Sequence, residues 1–169
     1  QKFISASISL GKRFNLFNKL FLSLAYNYIE TPKYFPRINI SNDRIDRNFS
    51  LGLKYIYDSR DLAQFPNEGL FTSIELQNKG LGIDDINYQI FNLDFREYRT
   101  LIKDFSAKCR FAMRTAFGND IPYYDYSYFG FRERIRGHYF DEKEGKNMLF
   151  GSLEFKYPII KEWNIDFNF

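Results

Sequence analysis

The side chains that could do chemistry are few, and their spacing favours ion pairing over catalysis. Two acid pairs occur, Asp84-Asp85 and Asp141-Glu142. Both sit in polar stretches without shielding, so neither has the desolvation that raises a carboxyl pKa for general-acid work. The one histidine, His138, has no second metal ligand at a useful spacing and reads as a packing or hydrogen-bonding residue. The one cysteine, Cys109, excludes an internal disulfide and any multi-cysteine metal site. The sequence has no Gly-x-Ser-x-Gly elbow, no phosphate-binding loop and no paired-histidine motif. An enzyme is not expected, and neither is a cofactor or a metal. What remains is a set of arginines: Arg132, Arg134 and Arg136 in a run, and Arg60 two residues after Asp58. A guanidinium pairs bidentately with a carboxylate wherever a scaffold holds the two face to face.

The composition says what that scaffold is. Aromatic residues make up 20% of the chain, with 20 Phe and 13 Tyr, yet mean hydropathy is −0.45 and 27% of residues are charged. A soluble domain would bury the aromatics and expose the charge. A β-barrel in a bilayer does the reverse, with aromatics on the lipid face and at both interfaces and polar side chains in the lumen. The net charge of +3 is too small, and the basic residues too scattered, to suggest a nucleic-acid partner. No apolar run is long enough for a membrane helix. The start at Gln1 has neither the basic nor the apolar part of a signal peptide, which suits a mature chain or, preferably, an internal fragment.

Strand-period alternation recurs from end to end. Leu20, Leu22, Leu24, Tyr26 and Tyr28 alternate with Ser23, Ala25 and Asn27, and Phe49, Leu51, Leu53, Tyr55 and Tyr57 with Ser50, Gly52 and Lys54. Phe105, Ala107, Cys109, Phe111, Met113 and Phe117 alternate with Ser106, Lys108, Arg110 and Arg114. A period of two puts each set on one face of a sheet. The pattern predicts about eight strands, near 2–11, 20–30, 48–58, 69–79, 87–99, 105–117, 147–158 and 163–169. Glu75, Asp94, Arg96, Lys108, Arg110, Arg114, Glu154 and Lys156 fall on the polar face. The connections 12–19, 59–68, 100–104 and 159–162 are fairly short. They alternate with 31–47, 80–86 and 118–146, two of which are long, so antiparallel pairing sends the two groups to opposite sides of the membrane. Outer-membrane barrels have this asymmetry, with short periplasmic turns and longer external loops. A soluble sandwich or lipocalin-like barrel also alternates, but has less use for so charged a face. Cys109 then faces lipid, and Tyr123, Tyr124, Tyr126 and Tyr128 read as an interfacial girdle leading into the next loop.

Two segments carry a resemblance. The first is Tyr57-Asp58-Ser59-Arg60-Asp61 followed by Phe65-Pro66-Asn67-Glu68-Gly69. Its residue types make a tight turn, since Pro66 fixes φ and Gly69 allows an unusual backbone angle. It resembles the Asp-x-Arg…Phe-Pro-x-x-Gly periplasmic turn of the BamA-like outer-membrane assembly and surface-antigen superfamily, which includes BamA, TamA and two-partner secretion transporters. The second runs from Tyr128 to Tyr139 and contains Ile135-Arg136-Gly137-His138; it is similar to that superfamily's Val/Ile-Arg-Gly-aromatic motif, with His138 in the aromatic place. Gly151-Ser152-Leu153-Glu154-Phe155-Lys156-Tyr157-Pro158 then resembles the Gly-x-x-Glu-x-Arg-x-Pro strand, with Lys156 where Arg is usual.

The resemblance covers nearly the whole chain and implies the central part, about strands six to thirteen, of a sixteen-strand antiparallel transmembrane β-barrel. It implies an integral protein of the bacterial outer membrane in which 118–146 is a long external loop folding back into the lumen, with Arg136 at its tip. The partner of Arg136 would be an inward carboxylate, Glu154 or Asp166, or an Asp beyond the chain's end. Family members carry periplasmic repeat domains before the barrel; none occur in this chain. The implied function is assembly and insertion of unfolded outer-membrane client proteins, with lipoprotein accessory subunits and the lipid bilayer as partners. A dedicated translocation pore, of two-partner or TamA-like type, is the alternative, and a passive porin comes last. Phe169 after alternating aromatics resembles an outer-membrane targeting signal, but truncation is the preferred reading.

Overall fold

The computed structural model describes residues 2–32, 39–41, 44–81, 86–118, 120–129, 143–160 and 165–168. The strands are β1 (Lys2–Arg13), β2 (Asn18–Glu30), β3 (Ile45–Asp58), β4 (Gly69–Gly80), β5 (Tyr88–Ile102), β6 (Phe105–Gly118), β7 (Ser127–Phe129), β8 (Lys143–Gly145), β9 (Asn147–Ile160) and β10 (Ile165–Asn168). Eight of them form one sheet of order β1-β2-β3-β4-β5-β6-β9-β10, antiparallel throughout, while β7 and β8 pair separately. The only helical turn among the described residues is a 3-10 turn at Tyr123–Asp125.

Register converts the sequence alternation into two chemically distinct faces. One row runs Leu20, Tyr55, Ile74, Leu93, Met113, Leu149 across six neighbouring strands, apolar at every step. The adjacent row on the other face runs Lys54, Glu75, Asn92, Arg114. The apolar face is left open: Leu22, Leu24, Leu51, Leu53, Leu76, Leu149 and Leu153 are all exposed. A soluble monomer does not present a continuous apolar surface of that extent, whereas a bilayer covers it.

The predicted strands are all present, and all but the last run longer than the apolar pattern suggests. Lys12, Arg13, Asn18 and Lys19 extend the first hairpin, so its turn is residues 14–17 rather than 12–19. The β5–β6 connection shrinks to Lys103-Asp104, with Asp104 at φ 66°. Backbone pairing continues past the last apolar side chain because the ladder bonds do not depend on side-chain type. Within the segment read as one long loop, the short β7–β8 pair and the 3-10 turn are additions that period-two reasoning had no signal for. The buried core is small. Ile86, Tyr88, Ile90 and Ile121 cluster at the long-loop end of the polar face, where residues 120–129 cross it.

Candidate functional site on the polar face

At the short-turn end, the β3–β4 connection is closed by a carboxylate–guanidinium fork. Arg60 Nε and Nη2 donate to the two Asp58 oxygens, each at 2.8 Å, and Arg60 Nη1 reaches the Ala63 carbonyl at 3.3 Å. Asp61 organises the rest, accepting from the backbone amides of Leu62, Asn67 and Glu68. Desolvation pushes the Asp61 carboxyl up, but these amides outweigh it and hold the group below its ordinary value of 3.8. Ser59 and Leu70 exchange bonds across the turn, with Ser59 Oγ accepting from the Leu70 amide at 3.1 Å. Gly69 has φ +112°, and a Cβ there would lie 2.5 Å from the Ser59 carbonyl oxygen. Only glycine meets both demands.

From that turn a chain of charge and ring runs across the polar face. The Arg60 and Arg96 guanidinium carbons stand 4.7 Å and 5.1 Å from the Phe71 ring centre. Arg96 grips Asp94 through two bonds of 2.9 Å and 2.6 Å, and Arg110 adds a further bond to each Asp94 oxygen, at 3.3 Å and 3.0 Å. Arg110 also lies over Phe150, and Lys108 bonds both Glu154 oxygens at 3.0 Å and 3.1 Å. Lys54 and Glu75 pair at 3.7 Å. These groups are half-buried against one another, which favours charge-assisted bonds over free hydration.

The long-loop end is built by residues far apart in sequence. Asp46 is fully buried and accepts from the Ile40 amide at 3.1 Å, the Ser41 amide at 2.9 Å and the Tyr124 hydroxyl at 3.0 Å. Asp125 accepts from Lys79 Nζ at 2.7 Å and from the Tyr88 hydroxyl. Arg114 reaches the Asp125 carbonyl at 3.2 Å. Burial first, and then the Asp46 carboxylate, push the Tyr124 hydroxyl well above its ordinary value of 10.0. Beside this cluster lies a cavity of about 360 Å³ lined by Asn27, Asn48, Lys79, Tyr124 and Asp125 among others. Ser5, Asn27 and Asn48 form a hydrogen-bonded relay towards it, with steps of 2.8 Å and 3.0 Å.

The turn residues singled out in the sequence, Asp58, Arg60, Pro66 and Gly69, come together in one closed connection. Ile135, Arg136, Gly137 and His138 lie outside the described residues, as do both acid pairs. Of the two carboxylates named as partners for Arg136, Glu154 is on the polar face bonded to Lys108. Asp166 stands on β10 opposite Pro158, and its side chain lies outside the described set. Cys109 is exposed on the apolar face. The girdle reading of the tyrosines needs correction for Tyr124, which turns onto the polar face and bonds Asp46. Tyr123, Tyr126 and Tyr128 instead cluster ring to ring, at 5.4 Å and 6.3 Å from Tyr123. Asp46, Tyr88 and Asp125 were missed, because nothing in the local sequence marks residues that meet only in the fold.

Comparison with known proteins agrees with this architecture. The model of the Omp85 superfamily domain matches residues 2–167. Among solved structures, the chain is similar to BamA from Haemophilus ducreyi, crystallised without POTRA domains 1–3, with a TM-score of 0.78 and 19% sequence identity. The match covers 98% of this chain and 40% of that one, so the chain spans less than half the length of that relative. No curated protein sequence matches. An open antiparallel sheet with one apolar and one charged face, matched over nearly its full length by that family model, makes this chain a member of the Omp85 superfamily, the outer-membrane β-barrel proteins of protein insertion and translocation.

Proposed function

We propose that the chain forms the central wall of an outer-membrane assembly factor that folds and inserts unfolded client barrels. The observation that carries this reading is the closed Asp58–Gly69 turn, with its bidentate Asp58–Arg60 fork and its positive-φ Gly69, in a chain of this superfamily. In such a protein, clients would be templated by β-augmentation at an exposed strand edge, where unpaired backbone groups accept an incoming strand. The wall described here would hold the barrel's shape while the seam works. Accessory lipoproteins and the bilayer are the expected partners, and the short turns face the periplasm in this arrangement.

Arg136 belongs to the same proposal, at the tip of an external loop, 118–146, that enters the lumen and pairs with an inward carboxylate. Glu154, one of the two candidates, already holds Lys108, and Asp166 is the other. The full-length protein in liposomes, offered an unfolded outer-membrane barrel, should accelerate its folding over empty liposomes. Arg136→Ala should lower that acceleration or the yield of assembled protein, and Arg136→Lys should restore it only in part, since a point charge lacks the planar fork. A variant with unchanged yield and activity would remove Arg136 from the mechanism. A full-length protein that never accelerates client folding, but passes one secreted partner, would favour the dedicated pore.

A further inference from the structure

The first hairpin differs from the rest of the wall in charge. Four of the 24 basic residues, Lys2, Lys12, Arg13 and Lys19, lie in residues 1–29, where no Asp or Glu occurs. The other 20 basic residues share the remaining chain with all 21 acidic ones. The chain's entire positive excess therefore sits in β1–β2, and three of its four charges flank the turn. Arg13 and Lys19 stand directly opposite each other in the register, an arrangement that repels unless an anion lies nearby, and Asp58 is close enough to interact with Lys19 though not with Lys12 on the other face.

The same turn is apolar at its tip. Phe14, Leu16 and Phe17 are 57%, 75% and 45% exposed in the turn, where Phe14 still donates to the Asn18 carbonyl at 3.0 Å and Phe17 accepts from the Asp58 amide at 2.9 Å. Their display is fixed: Asn15 Oδ1 accepts from the amides of Phe17 at 3.0 Å and Asn18 at 2.8 Å. Phe17 packs on Tyr57, with ring centres 6.2 Å apart, and Tyr57 belongs to the apolar face. Lys12 is also on that face, its ammonium 5.4 Å from the centre of the Phe14 ring. The corner thus continues the lipid-facing surface and ends it in positive charge at Lys12.

We infer that the β1–β2 turn is a docking site for anionic phospholipid headgroups in the leaflet where the short-turn end sits, with Lys12 on the phosphate, Arg13 adding positive charge from the other face of the strand end, and Phe14, Leu16 and Phe17 seated at the acyl boundary. Aromatic and aliphatic side chains beside basic ones make an interfacial anchor, and each basic group near a charged membrane surface adds attraction. An acidic protein would satisfy the charge, but would not account for apolar tips continuous with the lipid face.

The test uses the full-length protein in nanodiscs of equal phosphatidylcholine and phosphatidylglycerol, with retained lipid measured by native mass spectrometry. Wild type should retain phosphatidylglycerol in excess. Lys12→Gln with Arg13→Gln should lose that excess by a factor on the order of fivefold per charge. Lys12→Arg with Arg13→Lys should keep it, which separates lost charge from lost folding. Arg99→Gln with Lys103→Gln, near the β5–β6 turn two hairpins along on the same side, should keep it too. Retention that is unbiased in wild type, unchanged in the double glutamine variant, or equally reduced by the β5–β6 control would overturn the assignment.

Discussion

The two ends of the polar face solve the same problem by opposite routes. At the short-turn end, Asp58, Arg60, Asp61 and Gly69 lie within a dozen residues and satisfy one another locally. At the long-loop end, Asp46 meets Tyr124 across 78 positions, and Asp125 meets Lys79 across 46. The local end closes without waiting for the rest of the sheet, whereas the distant end can form only after β3 to β6 are aligned. One end is a turn that defines register; the other records that the sheet is complete.

The largest effect that would break this contrast is expected from Asp46→Ala. It leaves two amides and the Tyr124 hydroxyl without their acceptor, a loss of about 3 kcal/mol if those donors stay buried. Amide hydrogen exchange across Asp125–Ser127 should quicken on the order of a hundredfold, while the 59–68 turn keeps its protection. Equal loosening of both ends would show them to be one cooperative unit. Arg60→Lys should have a smaller effect, about 1 kcal/mol, because the charge remains and the fork is lost. Its exchange signature should appear at Leu62, Asn67 and Glu68 and leave Tyr126 unaffected.

Acidity and alkalinity should separate the ends more gently. The Asp61 carboxyl is held below 3.8 in the folded chain, so its contribution is present above that pH and is lost as pH falls further. The Tyr124 hydroxyl is raised above 10.0, so its contribution is present below that pH and is lost as pH rises beyond it. Proteolysis in acid should therefore nick the 59–68 turn first. An ultraviolet titration should show one fewer late-ionising tyrosine in Tyr124→Phe than in the wild type. A Tyr124 that titrates with the exposed tyrosines would place it outside the buried cluster.

The same difference governs what the sequence discloses. Every strand of the sheet was visible in it, because a half-buried strand writes its two environments into alternate residues, as Leu20 to Tyr28 and Phe105 to Phe117 do. The 59–68 turn was visible because its constraints are local: an acid two residues from an arginine, a proline, and a glycine where no Cβ fits. Tyr124 was misread because a tyrosine beside three others at a strand end looks the same whether it meets lipid or a carboxylate 78 residues away. Asp46 and Asp125 gave no signal for that reason. Turn lengths were overestimated at 14–17 and 103–104, where polar residues still pair through the backbone.

The central claim, that this wall belongs to an assembly factor, is tested most directly by quantitative proteomics of the outer membrane after depletion of the parent protein. An assembly factor's loss should produce a broad fall in many unrelated β-barrel proteins. Loss of a single secreted partner, or an intact barrel population with altered solute uptake, would contradict it and move the protein to a dedicated pore or a porin.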